Sequence, residues 1–183
     1  NQNKMRSSLS QSQLGVYYAC VANNDNNVNY QNALLVALPP VIDLNRFRKA
    51  VYEALCAHLY IASHIVLDDN GQPQMESGTF PDLEETVPIF SVNSMDEARR
   101  GFARTMEPHE ERLWRTEIYT TSSGEAWRYF DAHHVIIDAF STMVMYHEIE
   151  RCYNGQQPVG ETIDGAIIAQ EEEALRADEA KMS

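Results

Sequence analysis

Two runs of aromatic and β-branched residues, Leu113 to Thr121 and Ala126 to Ala132, are joined at Ser122, Ser123 and Gly124, and a helix follows from about Ala139 to Tyr153. Runs of that composition favour pleated backbone, and a short Ser/Gly link makes them a hairpin. A hairpin feeding a helix constrains everything else, because the helix has to bury one face against the sheet that the hairpin starts. Asn154 and Gly155 close that helix.

The rest of the chain supplies the partners. Ser10 and Gln13 form a capping box that opens a first helix, with Leu14, Tyr17, Tyr18 and Val21 on one apolar face. Asn23 to Asn27 ends it, and Tyr30 to Leu38 reads as a buried strand stopped by Pro39 and Pro40. Asp43 caps a second helix that turns Leu44, Phe47, Val51, Ala54 and Leu55 inward. His64 to Leu67 and the segment after Gly71 form a short hairpin, and Val87 to Val92 is a further strand. Ser94 and Glu97 predict a second capping box, on a helix carrying Met95, Ala98, Phe102 and Met106 inward. A last helix, Asp164 to Ala180, contains the solvated run Glu171, Glu172 and Glu173. Met143 and Met145, like Met95 and Met106, read as core filler. Helices and strands interleave while several strands meet through hairpins. The expected fold is α/β: a mixed sheet backed by helices, a two-layer sandwich.

At 183 residues the chain suits one domain or one lobe of a larger one. Its 27 acidic residues against 14 basic ones give a net charge of −13. That balance speaks against nucleic acid and against an anionic membrane surface as partners. No apolar run approaches the ~18–20 residues of a membrane span, and the polar start has no signal-peptide character. A first residue other than Met leads us to expect a piece of a longer chain. Cys20, Cys56 and Cys152 are odd in number and lie in predicted helices, which points to reduced thiols in a cytoplasmic protein.

The segment that carries chemistry is Asp131 to Ser141, DAHHVIIDAFS, where a strand ends and a helix begins. With 6 His in the chain, a lone His-x-x-x-Asp arises roughly 0.3 times by chance; requiring the adjacent second His lowers that to roughly 0.01. His133 and His134 on extended backbone point to opposite faces, so they do not readily share one metal ion, and no third ligand stands near them in sequence. No metal site is expected. Taken alone, the histidines are equally well read as capping a turn.

HHVIIDAFS resembles the HHxxxDGxS core motif of the condensation domains of nonribosomal peptide synthetases, which belong to the chloramphenicol acetyltransferase-like acyltransferases. LSQSQLGVYYA, Leu9 to Ala19, is similar to the L-S-x-x-Q stretch on the first helix of those domains, and the acidic tail from Asp164 resembles the helix that closes their first lobe. The resemblance therefore runs over most of the 183 residues. No counterpart of the second lobe or of its D-F-G-W-G latch is found, so residues 1–183 are expected to be the N-terminal lobe, with the C-terminal lobe absent.

The resemblance implies amide-bond formation between thioesters carried on the phosphopantetheine arms of donor and acceptor carrier proteins. Carrier proteins, a C-terminal lobe and adjoining synthetase domains are then the partners, in a pathway of secondary metabolism such as antibiotic biosynthesis. The chain itself binds no cofactor. His134 is implied as the catalytic residue, and an imidazole with an ordinary pKa near ~6.5 suits proton transfer or hydrogen bonding to an attacking amine. His133, Asp138, Ala139 and Ser141 are implied as structural members of the motif, Asp138 through an arginine partner and Ser141 through the first helical turn.

Two departures are visible. Ala139 replaces the motif glycine, adding a methyl beside the thioester path. In AHLYIASHI, Ala57 to Ile65, His58 matches the family's R-H-E-x-L-R-T-x-F stretch, but Ala62 stands where the second arginine is expected. Arg128 is a candidate replacement partner for Asp138. These departures support an alternative class, a degenerate condensation-like module that binds carrier proteins or tailoring enzymes; an epimerisation domain of the same superfamily is a second alternative. As an isolated lobe the chain is expected to be inactive, and an uncovered apolar face to favour dimers or aggregates.

Overall fold

The computed structural model describes residues 4–22, 31–102, 104–136 and 139–160, those at 31, 32 and 139–142 by backbone alone. In chain order the elements are β1 (Arg6–Ser8), α1 (Gln11–Ala22), β2 (Gln31–Ala37), α2 (Leu44–Cys56), a 3₁₀ turn (Leu59–Ala62), β3 (His64–Leu67), β4 (Pro73–Glu76), α3 (Leu83–Thr86), β5 (Ile89–Val92), α4 (Met95–Arg99), β6 (Trp114–Thr121), β7 (Ala126–His133) and α5 (Ala139–Tyr153).

The expected hairpin is β6–β7, in the register Arg115↔Asp131 and Tyr119↔Trp127. Gly124 in its turn has φ 89°, a conformation that costs a side-chain-bearing residue energy. β7 is central in a four-stranded sheet of order β2-β7-β6-β5, with β2 antiparallel to β7 and β5 parallel to β6. The sheet is therefore mixed, as expected. A second, antiparallel sheet of order β1-β4-β3 contains the predicted β3–β4 hairpin. Its turn is held by the Asp68 carboxylate, which accepts from the backbone of Asn70 and Gln72 at 2.8 and 2.9 Å.

The main core lies between the four-stranded sheet and the helices. Asp43 caps α2 by accepting from Arg46 N, and the helix buries Phe47, Ala50, Val51, Ala54 and Leu55. Met145, Ile149 and Cys152 of α5 join them over Trp114, Ile118, Phe130 and Ala132. Each large side chain so buried contributes roughly 1.5–3 kcal/mol. On the sheet's other face Met95, Ala98 and Phe102 cover Tyr119 and Tyr129, with the Phe102 and Tyr129 rings stacked 4.0 Å apart.

Several expectations need correction. The buried line of α1 is Tyr17 and Cys20, not the stripe through Tyr18 and Val21, which are 52% and 45% exposed. Polar ties at Gln13 and Cys20 set the helix rotation. The Ser94 box does not form: Ser94 makes no side-chain cap, and Glu97 accepts from Asn93 N at 2.9 Å rather than from Ser94 N. α4 stops at Arg99, and Met106 is buried from irregular chain beyond it. Met143 is exposed, unlike the other three methionines named above. β5 begins at Ile89 because Pro88 has no N–H to donate, although its carbonyl accepts from Ile118 N. The predicted last helix lies outside the described residues. Among those residues, no helix is long and apolar enough to cross a membrane.

Candidate active site

The alternation of β7 sorts its side chains. Arg128, Phe130 and Ala132 face α2 and α5, while Trp127, Tyr129, Asp131 and His133 face the other way. His133 is wholly buried. Its Nδ1 accepts the Val135 backbone N–H at 3.1 Å, which leaves the ring proton on Nε2 to donate to the Cys20 thiol, 3.4 Å away on α1. Burial, and secondarily the neighbouring His134, push the His133 imidazole down to about 4, so it is neutral near pH 7.

Beyond His133 the chain turns, with Ile136 N donating to the His133 carbonyl and His133 N donating to Leu113 O. The turn is held again from α1. Gln13 Nε2 donates to the Val135 carbonyl at 2.8 Å and also reaches the Tyr60 hydroxyl. Its Oε1 accepts from Ser10 N, while its own N–H donates to Ser10 Oγ. The predicted capping box is present, and the same glutamine clamps the histidine loop to the start of the helix. His134 is thus fixed between two anchored residues, His133 and Val135, while its own side chain is exposed.

The two histidines are accordingly separated: His133, the last residue of β7, is buried, and His134, the first of the turn that follows, is exposed. Asp138 lies outside the described residues, and with it the question of its arginine partner. Ala139 and Ser141 belong by backbone to the first turn of α5. Ala62 is buried in the 3₁₀ turn beneath Gly78, where an added Cβ would stand 2.2 Å from the Ala62 carbonyl oxygen. His58 donates to the buried Glu148 at 2.9 Å. Burial would push the Glu148 carboxyl up, but the N–H groups of Gly160 and Val159 and the His58 ring outweigh it and hold it below the usual carboxylate range.

Sequence reasoning missed a charged network on the same face of β7. Arg115 grips Asp131 with two bonds of 2.9 and 2.6 Å, and the Tyr129 hydroxyl donates to Asp131 Oδ2 at 2.6 Å. Next to it Arg104 pairs with Glu117, which also accepts from Tyr119 at 3.0 Å. The signal was available. Counting back from the Ser122–Gly124 turn sets Arg115 directly across from Asp131, an opposite-charge cross-strand pair. His109 meets the Tyr17 hydroxyl at 2.7 Å. Among the described residues, no three His, Cys, Asp or Glu side chains are grouped to hold a metal ion.

Comparison with known proteins adds to this geometry. The chain is 24% identical over 149 residues to bacitracin synthase 1 of Bacillus licheniformis, covering 81% of this chain and 3% of that protein. In three dimensions it matches the first condensation domain of the calcium-dependent antibiotic synthetase, solved with a substrate analogue, at a TM-score of 0.80 and 18% identity. That match covers 94% of this chain and 46% of the other. The condensation domain of the monacolin K polyketide synthase gives a TM-score of 0.78 at 18% identity, over 97% of this chain and 41% of that one. The chain therefore spans less than half the length of these relatives. The family model described as condensation domain matches residues 3–166, nearly the whole chain: the protein belongs to the condensation-domain family, with the chloramphenicol acetyltransferase-like fold.

Proposed function

We propose that this chain is the histidine-bearing N-terminal lobe of a condensation domain, and that His134 serves amide-bond formation between carrier-bound thioesters. The observation that carries the reading is the contrast between adjacent histidines. His133 is sealed and hydrogen-bonded at both ring nitrogens, whereas His134 is exposed at the end of a central strand.

In the proposed reaction the acceptor amine attacks the donor thioester carbonyl. The C–N bond forms, the C–S bond breaks, the pantetheine thiol leaves and the amine loses a proton. The His134 imidazole either takes that proton or hydrogen-bonds the amine so that its lone pair meets the carbonyl. Clamping the loop through Gln13 and His133 limits the freedom of the ring before substrate arrives, which lowers the cost of orienting it. Donor and acceptor carrier proteins, the second lobe and adjoining synthetase domains are the partners in this reading. The matched structures support the two-lobe assignment by being about twice as long. Exposed apolar side chains at Tyr18, Val21 and Met143 fit surfaces covered in a larger assembly.

The test is His134→Ala in the complete synthetase. We expect product formation to fall by at least ~100-fold, the scale of a lost acid–base group, with carrier-protein binding unchanged. Unchanged product formation would favour the scaffold reading, which Ala139 and Ala62 support.

A further inference from the structure

Among the described residues, Arg128 is a buried charge without an ion pair. It is 4% exposed on the helix-facing side of β7, and its Nε has no hydrogen-bond partner among the described residues. No ion pair reaches it there. Its one aromatic contact, the Phe130 ring with its centroid 5.8 Å from the guanidinium carbon, lies near the limit at which cation–π attraction counts. Burial alone pushes the guanidinium down to about 10, so it still carries its charge at neutral pH. An isolated buried cation is expensive to hold, and the usual remedies are a paired anion or open water.

Arg128 lines a cavity of about 510 Å³ between the end of β2, the chain that follows it, and the second half of α5. Most of the wall is apolar: Val36, Leu38, Ile42, Phe47 and Ile149 contribute, with Tyr153 across the opening. The other ionisable group on the wall besides the tyrosines is Glu150, which is exposed. Outside, the Arg46 guanidinium rests 4.5 Å from the centre of the Tyr153 ring. The volume lies in the ordinary range for small-molecule sites, and a mainly apolar wall with one convergent charge is their usual composition.

We propose that this cavity is a binding site for a small amphipathic carboxylate, whose single negative charge pairs with Arg128 while its apolar body fills the space beneath α5. The charge arithmetic selects the class. One buried guanidinium matches one carboxylate through two parallel N–H···O bonds. A phosphate dianion would bring a second charge to a wall whose other acid–base side chain besides the tyrosines is the carboxylate Glu150, since Arg46 stacks on Tyr153 outside the cavity. A neutral apolar ligand would fill the volume and leave the arginine as costly as before. The site does not involve His134: Arg128 and the histidine pair stand at opposite ends of β7.

Octanoate, 1-octanol and acetate, titrated separately into this chain and followed by calorimetry, test the assignment. We expect one octanoate per chain, bound at least 10-fold more tightly than octanol and far more tightly than acetate. Arg128→Met should erase the preference for octanoate over octanol, and Arg128→Lys should keep part of it. Octanoate should also raise the melting temperature of the parent chain but not of Arg128→Met, whose own melt reports that it is folded. Equal binding of octanoate and octanol, octanoate binding that survives Arg128→Met, or no binding of octanoate at millimolar concentration would each overturn the proposal.

Discussion

β7 presents buried charge on both faces, and the two faces treat it oppositely. On the outward face Asp131 is held by Arg115 and Tyr129, and Glu117 of the adjacent β6 by Arg104 and Tyr119, while the neutral His133 is bonded by Cys20 and the Val135 N–H. On the helix-facing side Arg128 has neither an ion pair nor a bond to its Nε among the described residues. The first arrangement is structural, since desolvated charges pair with near-ideal geometry and leave little for a ligand to do. The second is a group kept charged at the expense of stability, the condition in which binding sites are commonly found. Burial alone does not distinguish a scaffold from a site; the presence or absence of partners does.

The sharpest way to break this contrast is Asp131→Ala. It removes both acceptors of the Arg115 fork and leaves that guanidinium, only 17% exposed, without its anion. Breaking one half of such a pair typically costs ~3–5 kcal/mol. We expect a loss of that size in urea unfolding, with an unchanged m-value. A loss below ~1 kcal/mol would mean that Arg115 simply turns to water, and that the outward face is no better satisfied than the inward one.

A second probe is pH. The folded His133 titrates at about 4, below its ordinary 6.5, so the unfolded chain binds a proton in that interval that the folded chain refuses. Stability should therefore rise with pH between about 4 and 6.5 and be independent of this residue above that window. At ~1.4 kcal/mol per unit, about 2 kcal/mol is lost on going from pH 6.5 to 5. His133→Gln, which keeps a neutral polar group, should abolish this slope without repeating it elsewhere. A slope that persists in the variant would assign the acid sensitivity to other groups.

On the other face the sign reverses. Arg128→Met replaces an unanswered cation by an apolar chain of similar reach inside an apolar wall. We expect stabilisation of about 1–2 kcal/mol in the ligand-free chain, the direction found when buried charge gives way to packed hydrophobe. Destabilisation would show that the guanidinium has an effective partner and would return Arg128 to the structural class.

How much of this was legible follows the same division. Elements set by local chemistry were read closely: the β6–β7 hairpin, the Ser10–Gln13 box, the Asp43 cap, and α5 from Ala139 to Tyr153 closed by Gly155. Strand alternation anticipated the opposite exposure of His133 and His134, although β7 ends at His133 and His134 opens the turn. What escaped depended on tertiary choice. Periodicity cannot decide which of two overlapping apolar stripes on α1 turns inward, because Tyr17 is on the winning face and Tyr18 is one position round. Gln13 was visible as a cap, but its bond to Val135 O spans 122 positions and has no local signature. That Arg128 lacks an ion pair among the described residues is likewise a property of several elements together.

The smallest expected effect concerns charge that belongs to neither face. Arg112 and Glu85 approach to 3.2 Å with side chains 40% and 65% exposed, where water and salt screen the attraction. A double-mutant cycle should give a coupling of ~0–0.5 kcal/mol that fades as salt is added. The single variants should nonetheless differ. The Arg112 guanidinium also lies 4.7 Å from the centre of the buried Trp114 ring, a contact that Glu85 does not share. Arg112→Ala is therefore expected to cost roughly 0.5 kcal/mol more than Glu85→Ala, and that excess should survive high salt because it comes from stacking and desolvation rather than from the ion pair. A coupling as large as the one at Asp131 would erase the distinction between satisfied buried charge and ordinary surface charge, and with it the reason for singling out Arg128.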